Sequence, residues 1–505
     1  MIISPRLSLM ALTLMLAGCA VGPDYQPPHA QTPGSYRDLS SQEASRPLSS
    51  ATQPLWWKNF NDPQLDSLIE RAIAGNLTLQ QSVLRIAGAR EQLAQARGGL
   101  FPSVNGSAKV TRQQLGLKGL LKSNGVYDQV DSDVANQLNG LDHSITLYQG
   151  SFDASWELDL WGKVRRQMEA ADAQQQVAIE QRNDALVSLE AEVARAYLQL
   201  RGAQAVLDTL QQQIEVAQQT WELTQSQQRN GLAPLTDVEN ARAQLSSLNA
   251  QLPQYQSQER QAMNGLAVLL GKMPGTLDNE LMNRKALPAL PKMVAVGIPS
   301  TLARRRPDIR QAEANLHAQT ANIGVSVADL FPSLSLTGQL GVRNTDASYL
   351  DDWSSHFYSI GPSLSIPIFQ GGRLVSSVKL ARAQQASAAL DYRQTVLTAL
   401  QDVENALVSY RADQQQVTAL DETTGALQHA FDLASDSYKQ GISTFLDVLD
   451  AQRQLAQAQA QSTQARMQSA LDLVALYKAL GGGWEPYQKV NLPEYSVFGP
   501  ATTVP

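Results

Sequence analysis

One structural unit is written twice in this chain. Gly231-Leu232-Ala233-Pro234-Leu235-Thr236-Asp237-Val238 is answered by Gly441-Ile442-Ser443-Thr444-Phe445-Leu446-Asp447-Val448, 210 positions on. Leu100-Phe101-Pro102-Ser103 is answered by Leu330-Phe331-Pro332-Ser333, 230 positions on, so the first copy carries 20 extra residues between Ser103 and Gly162. A duplication on this scale builds two halves of one symmetric assembly rather than two unrelated domains. The expected organisation is repeat one over 62–275, a connector over 276–298, repeat two over 299–483 and a tail over 484–505.

The composition suits long helices. Gln, Ala and Leu abound, and aromatic residues make up only 6% of the 505. A net charge of −7 leaves no electrostatic footprint for nucleic acid. Beyond the N-terminus no apolar run reaches the length of a transmembrane helix. The N-terminus itself reads as a secretory signal over 1–18: Arg6, an apolar run from Leu7 to Leu16, then small residues. It closes on Leu16-Ala17-Gly18-Cys19, which resembles the lipobox of bacterial lipoproteins. Cys19 is the only cysteine, so acylation is expected there and an internal disulfide is ruled out. The Pro/Ser/Gln-rich stretch that follows reads as a lipid-anchored tether within 19–61.

Each repeat follows the same order. Asp62 caps a helix that has Pro63 at its first position, and Gly75-Asn76 ends it. A second helix, from about Thr78, breaks at Phe101-Pro102; its counterpart starts at Asp308 and breaks at Phe331-Pro332. The period then changes to two. Leu334, Leu336, Leu340 and Val342 alternate with small or polar residues, as do Ile360, Leu364, Ile366 and Ile368. Repeat one has a weaker strand pair, near Val104–Arg112 and Ile145–Leu158, and the long loop between them is the expected home of the extra residues.

No proline interrupts 163–229 or 373–439, and at about 1.5 Å per residue each such helix spans roughly 100 Å. Leu186, Leu189, Val193, Ala196, Leu200, Ala203, Leu207, Leu210, Ile214, Ala217 and Trp221 recur at steps of three and four, a coiled-coil seam. The returning helix continues it through Val238, Ala241, Leu245, Leu248, Leu252 and Tyr255. In repeat two the returning face (Val448, Ala451, Leu455, Ala458, Ser462, Ala465) is smaller and more polar, which points to a less buried and more mobile hairpin. Gly231 and Gly441 end the outgoing helices, and Thr236 with Glu239 has capping-box spacing for the return.

Four strands with no transmembrane helix pose a physical problem. In a bilayer every backbone polar group needs a partner, so the sheet must close, and barrels start at about eight strands. Two chains would close on a filled interior and three on a lumen. The alternative is a soluble hairpin pair capping a helical bundle.

In order and spacing the chain resembles the TolC-type outer-membrane efflux factors, in the lipoprotein branch of the NodT and OprM kind. The resemblance rests on Cys19 with Val21-Gly22-Pro23-Asp24-Tyr25 behind it, Trp56-Trp57-Lys58, Asp62-Pro63-Gln64-Leu65, Arg305-Arg306-Pro307-Asp308-Ile309, the Phe-Pro-Ser pair and both Gly…Asp-Val tips. It implies an α+β membrane protein: a homotrimer whose twelve-stranded transmembrane β-barrel in the outer membrane is continuous with a long coiled-coil α-barrel in the periplasm. The tips, Gly231 and Leu232 with Gly441 and Ile442, would meet a periplasmic adaptor (a membrane fusion protein). The adaptor would link the duct to an inner-membrane pump of the resistance–nodulation–division type. Export for an ABC or major-facilitator pump, type I secretion, or a non-pore lipid-anchored scaffold are the competing readings.

The resemblance also implies a periplasmic gate. Asp447 and Asp450 project from one helix face, and in the family the matching segment lines the constriction; plain capping of the helix N-terminus is the alternative. Tyr438 matches a position whose hydroxyl bonds an Asp, here Asp237, or else it continues a seam with Phe431 and Ala434. Ser443 stands where the family carries a second tether, an Arg. The basic run Arg304–Arg306 reads as a structural helix end, and Trp56-Trp57 as an anchor. Nothing in the motifs points to an enzyme, a cofactor or a metal: His29, His143, His317, His356 and His429 are scattered, and Gly481-Gly482-Gly483 reads as a helix stop.

Overall fold

The computed structural model describes residues 20–28, 32–37, 45–46, 54–114, 116–126, 129–134, 144–291, 294–296, 299–493, 495 and 497. Cys19 and the signal segment lie outside them.

The two expected halves follow the same order of elements. Repeat one comprises α1 (Pro63–Gly75), α2 (Leu77–Gly98), β1 (Ser103–Gln113), β2 (Ile145–Leu158), α3 (Lys163–Arg229) and α4 (Leu235–Leu269). Repeat two comprises α5 (Pro299–Arg305), α6 (Pro307–Ala328), β3 (Ser333–Asn344), β4 (His356–Ser365), α7 (Arg373–Lys439) and α8 (Phe445–Ala479). Three of the four corresponding helix pairs agree in length, 22 residues for α2 and α6, 67 for α3 and α7, 35 for α4 and α8, while α1 has 13 and α5 only 7. The strand connection is 31 residues long in repeat one (114–144) and 11 in repeat two (345–355), which accounts for the whole 20-residue excess.

Asp62 caps α1 as expected, accepting from the backbone N–H of Gln64 at 2.9 Å and Leu65 at 3.4 Å. Three local expectations differ. The capping box forms only in repeat two, where the Asp447 carboxylate takes the Thr444 N–H and hydroxyl. In repeat one the helix already begins at Leu235 behind Pro234, so Thr236 sits inside it and cannot cap. Strand β4 stops at Ser365, short of Ile366 and Ile368, because Pro367 has no N–H to extend a ladder. And the return face of repeat two is small but not loose: Val448, Leu455, Ala458, Ser462 and Ala465 are all buried. The face is buried although its side chains are small.

The molecule divides into two compact units that cut across the repeats. One contains residues 1–26, 90–173 and 317–386; the other contains 27–89, 174–316 and 387–505. The first holds a four-stranded antiparallel meander in the order β1-β2-β3-β4. The second holds the main apolar core, in which Leu186, Leu189, Val193 and Leu200 of α3 join Trp56, Trp57, Phe60 and the α8 residues Leu473, Val474 and Leu476. Trp56 stacks on Tyr477 with ring centroids 5.1 Å apart.

The triglycine is more than a helix stop. A Cβ on Gly481 would lie 2.4 Å from Arg306 Cγ, on Gly482 2.1 Å from Arg305 Nη2, and on Gly483 1.9 Å from Glu190 Oε2. The chain thus folds over three charged side chains where the repeats meet. Arg306 is held by Asp308 at 2.8 Å, by Asp402 at 3.1 Å and by the Ala479 carbonyl at 3.0 Å, confirming a structural role.

Across the second hairpin Asp413 of α7 faces Asp472 of α8. Burial and the facing carboxylate push Asp413 up to about 6. A raised folded-state pKa contributes stability that is fully present below the unfolded value and is lost as pH rises to the folded one. The thermal midpoint of the detergent-solubilised protein is therefore expected to fall as pH rises from 3.8 to about 6 and to level off above that, and Asp413→Asn should flatten that dependence in the same melting series.

Candidate channel wall and hairpin tips

The sheet has two chemically different faces, set by the period of two and preserved across every strand by the register. On one face Phe152 lies opposite Gly106 and Leu340, and Leu340 opposite Tyr358; Trp156 meets Leu336, and Leu158 meets Leu334, which meets Leu364. These side chains are turned outward: Val104 is 66% exposed, Phe152 66%, Ile360 75% and Tyr358 81%. Rows alternate in size so that glycine makes room for a ring, a Cβ on Gly106 falling 3.4 Å from Phe152. The opposite face is polar. Asp153 Oδ2 accepts from the hydroxyls of Ser107 at 3.3 Å and Ser151 at 3.2 Å, and those hydroxyls lie 3.0 Å apart. Gln339 and Ser359 continue this row.

Strands of 11, 14, 12 and 10 residues are long enough to cross a bilayer when tilted. Among the described residues neither outer strand, β1 nor β4, pairs with a further strand, so each has a free edge. Among the described residues no helix is long and apolar enough to cross a membrane.

At the other end of the long helices the two tips are built alike. The N–H of Leu232 bonds the Gln227 carbonyl and that of Gly231 the Gln228 carbonyl, each at 2.9 Å; Ile442 to Ser437 and Gly441 to Tyr438 repeat the pattern, also at 2.9 Å. This is the Schellman helix ending, which needs positive φ at its glycine, here 74° for Gly231 and 75° for Gly441. In each tip the next residue is apolar and exposed, Leu232 at 78% and Ile442 at 75%.

The acidic residues sit as follows. Asp447 spends one oxygen on the capping box, so the capping reading holds within a single chain. Asp450 is exposed and accepts from Gln454 Nε2 at 2.7 Å. The Tyr438 ring packs beside Phe445 with centroids 5.7 Å apart, and its hydroxyl is buried with no hydrogen-bond partner among the described residues. Burial, then the charge of Asp237, raise the Tyr438 pKa, and burial raises that of Asp237. The two are electrostatic neighbours but are not bonded. The Ser443 hydroxyl turns back to the Ala434 carbonyl at 3.4 Å.

Sequence reasoning missed the cross-braces. Asp421 of α7 accepts from Ser462 of α8 at 2.8 Å and pairs with Arg466, clasping the second hairpin. Gln213 Nε2 of α3 reaches Gln459 Oε1 at 3.0 Å and the Ala456 carbonyl at 3.2 Å, tying the first hairpin to the second. Ser462 was visible as a seam position, but its partners and the glutamine pair sit just beside the seam, where polar residues are too common on a Gln-rich helix to stand out.

The model of the outer membrane efflux protein family matches residues 68–272 and 298–482. The chain belongs to the outer membrane efflux protein family. It is 32% identical over 487 residues to nodulation protein T of Rhizobium leguminosarum bv. trifolii, covering 95% of this chain and 98% of that one. It is 31% identical over 481 residues to the antibiotic efflux pump outer membrane protein ArpC of Pseudomonas putida, covering 95% of each chain. Its fold is similar to the solved outer-membrane channel OprN, with a TM-score of 0.82, 34% identity, and coverage of 93% of this chain and 100% of that one.

Two outcomes are expected at the tips. Asp237→Asn should slow amide hydrogen exchange over 231–238 at neutral pH, because it removes a charge that burial disfavours, and should have no effect in acid, where Asp237 is itself protonated. Tyr438→Phe deletes an unpaired buried hydroxyl and should leave the thermal midpoint unchanged or raise it by the equivalent of about 1 kcal/mol; a clear drop would instead reveal a bond to Asp237 in the assembled protein.

Proposed function

We propose that this chain is the outer-membrane duct of a tripartite efflux system, a passive conduit through which an inner-membrane pump expels drugs or other small molecules. The observation that carries the proposal is the two-faced sheet with two free edges. Its apolar face suits lipid and its polar face suits a water-filled lumen. Four strands cannot close, and in hydrocarbon an open edge leaves backbone groups without partners. Three copies pairing β4 of one with β1 of the next give a twelve-stranded barrel wide enough for a lumen, whereas two give an eight-stranded wall filled by side chains. Family membership supports the same reading.

The remaining roles follow from position. Cys19, in its lipobox setting, carries the acyl anchor in the outer membrane. Leu232 and Ile442, held out by the Schellman turns, offer apolar knobs to the helical hairpin of a periplasmic adaptor, which connects the tunnel to a resistance–nodulation–division pump. Asp447 and Asp450 of three chains form two carboxylate rings that hold cations and narrow the entrance at rest. No step needs a cofactor: the duct supplies a wall, and the pump supplies the energy.

Purified detergent-solubilised protein should have the mass of three chains and conduct ions in planar bilayers. Asp447→Ala with Asp450→Ala should raise single-channel conductance several-fold and relieve block by divalent cations. A monomer that does not conduct would remove the duct reading; unchanged block in the double variant would remove the rings.

A further inference from the structure

The pairing of β2 with β3 is the seam between the repeats. Hairpins β1–β2 and β3–β4 are closed by local connections, but the seam joins strands separated by all of α3 and α4. Its register is not decided by the faces alone. A one-residue slip would exchange apolar and polar faces, while a two-residue slip keeps each on its own side. The strands choose in part, since a Cβ on Gly341 would lie 2.3 Å from the Gly150 carbonyl oxygen and so favours glycine opposite Ser151; contacts beside the strands add to that choice.

Three contacts stand at the foot of the seam. Trp161 stacks on Phe331 with centroids 4.7 Å apart and donates its indole N–H to the Pro332 carbonyl at 2.7 Å. Lys163 pairs with Asp329 at 2.7 Å. The third contact is made by residues from neither repeat, the Val21-Gly22-Pro23-Asp24-Tyr25 segment. The Val21 N–H bonds the Trp161 carbonyl at 3.0 Å, and the Val21 carbonyl accepts from Arg166 Nε at 3.2 Å. Arg166, only 4% exposed, is neutralised by Asp24 at 2.6 Å and by Glu169 at 2.7 Å. Glu169 reaches His317 of α6 at 3.0 Å, and Tyr25 stacks on that His317 with centroids 4.2 Å apart. A Cβ on Gly22 would lie 2.5 Å from Gly324 Cα, and one on Gly324 2.8 Å from Arg166 Cγ. The buried Arg166 guanidinium already holds Glu169 and takes Asp24, whose side chain stays 88% exposed, as its second carboxylate. Through it the first turn of α3 and the middle and end of α6 share one ligand.

We propose that residues 20–25 are an assembly clamp: they occupy the Arg166–Glu169–His317 groove as an intramolecular ligand and select the register of the β2–β3 seam. The clamp is a property of the sheet and its flanking helices and does not depend on conduction.

Cysteine pairs read the register directly. Ser155 lies opposite Thr337, and a two-residue slip would bring it opposite Gln339. With the clamp intact, Ser155→Cys with Thr337→Cys should oxidise, and Ser155→Cys with Gln339→Cys should not. Asp24→Asn, Tyr25→Ala, or Gly324→Ala, which alters no charge, should raise the slipped cross-link about tenfold, the scale of one lost charge-assisted hydrogen bond. Asp24→Glu should restore the native pair. Cys19→Ser removes the acylation site but leaves the clamp, so the native pair should persist. Should a variant fail to accumulate in membranes, the same pairs are read on full-length chain refolded into detergent. Equal slipped cross-linking with and without the clamp would overturn the proposal, as would Cys19→Ser alone reproducing the slip.

Discussion

A backbone amide in hydrocarbon has no water to bond, and this structure leaves two rows of such amides open. The meander β1-β2-β3-β4 satisfies its interior ladders and exposes an edge on each side. Its apolar face excludes it from water, and its edges exclude it from lipid, unless both edges find partners. The sheet is therefore an incomplete object by itself. In the proposed duct, copies of the same chain supply what is missing, each edge meeting the opposite edge of a neighbour, and each copy contributes two hairpins of wall.

The helices obey the same logic in water. Equal lengths in the two repeats, 67 and 35 residues for each hairpin, let the seams of α3–α4 and α7–α8 run side by side. Leucine-rich packing builds the first hairpin, and smaller buried residues line the return face of the second. Polar braces then define what moves together. Asp421 with Ser462 and Arg466 clasps α7 to α8 through a charge, whereas Gln213 with Gln459 joins the two hairpins through neutral amides. The Asp421–Arg466 pair is solvent-exposed, so its charge adds little to the clasp.

Much of this was legible in the sequence, and the exceptions share a cause. Long helices, their glycine-ended tips and the first strand of each hairpin are local properties, written as periods of 3.5 and two and as proline and glycine punctuation. The unread features depend on approach between distant segments. Gly481-Gly482-Gly483 signals a helix stop, but its cradle for Arg306, Arg305 and Glu190 needs three-dimensional proximity. Gly22 and Gly324 look unremarkable 302 positions apart, yet a Cβ on Gly22 would run into the Gly324 backbone and one on Gly324 into the Arg166 side chain. Thr236 and Glu239 had capping-box spacing, and Pro234 started the helix too early for them to use it. The gate residues were found by resemblance more than by physics: Asp447 caps its own helix, and Tyr438 stands beside Asp237 without bonding it.

The central claim is that the free edges of the sheet close between copies of the chain. A cysteine at Ser107 in edge strand β1, combined in turn with one at Ser359, Gly361 or Ser363 in edge strand β4, tests it in the outer membrane itself. Oxidation should give a denaturing-gel ladder of one, two and three linked chains that stops at three, with one β4 position clearly preferred. A ladder that stops at two or runs past three, or cross-links formed only within single chains, would contradict the account.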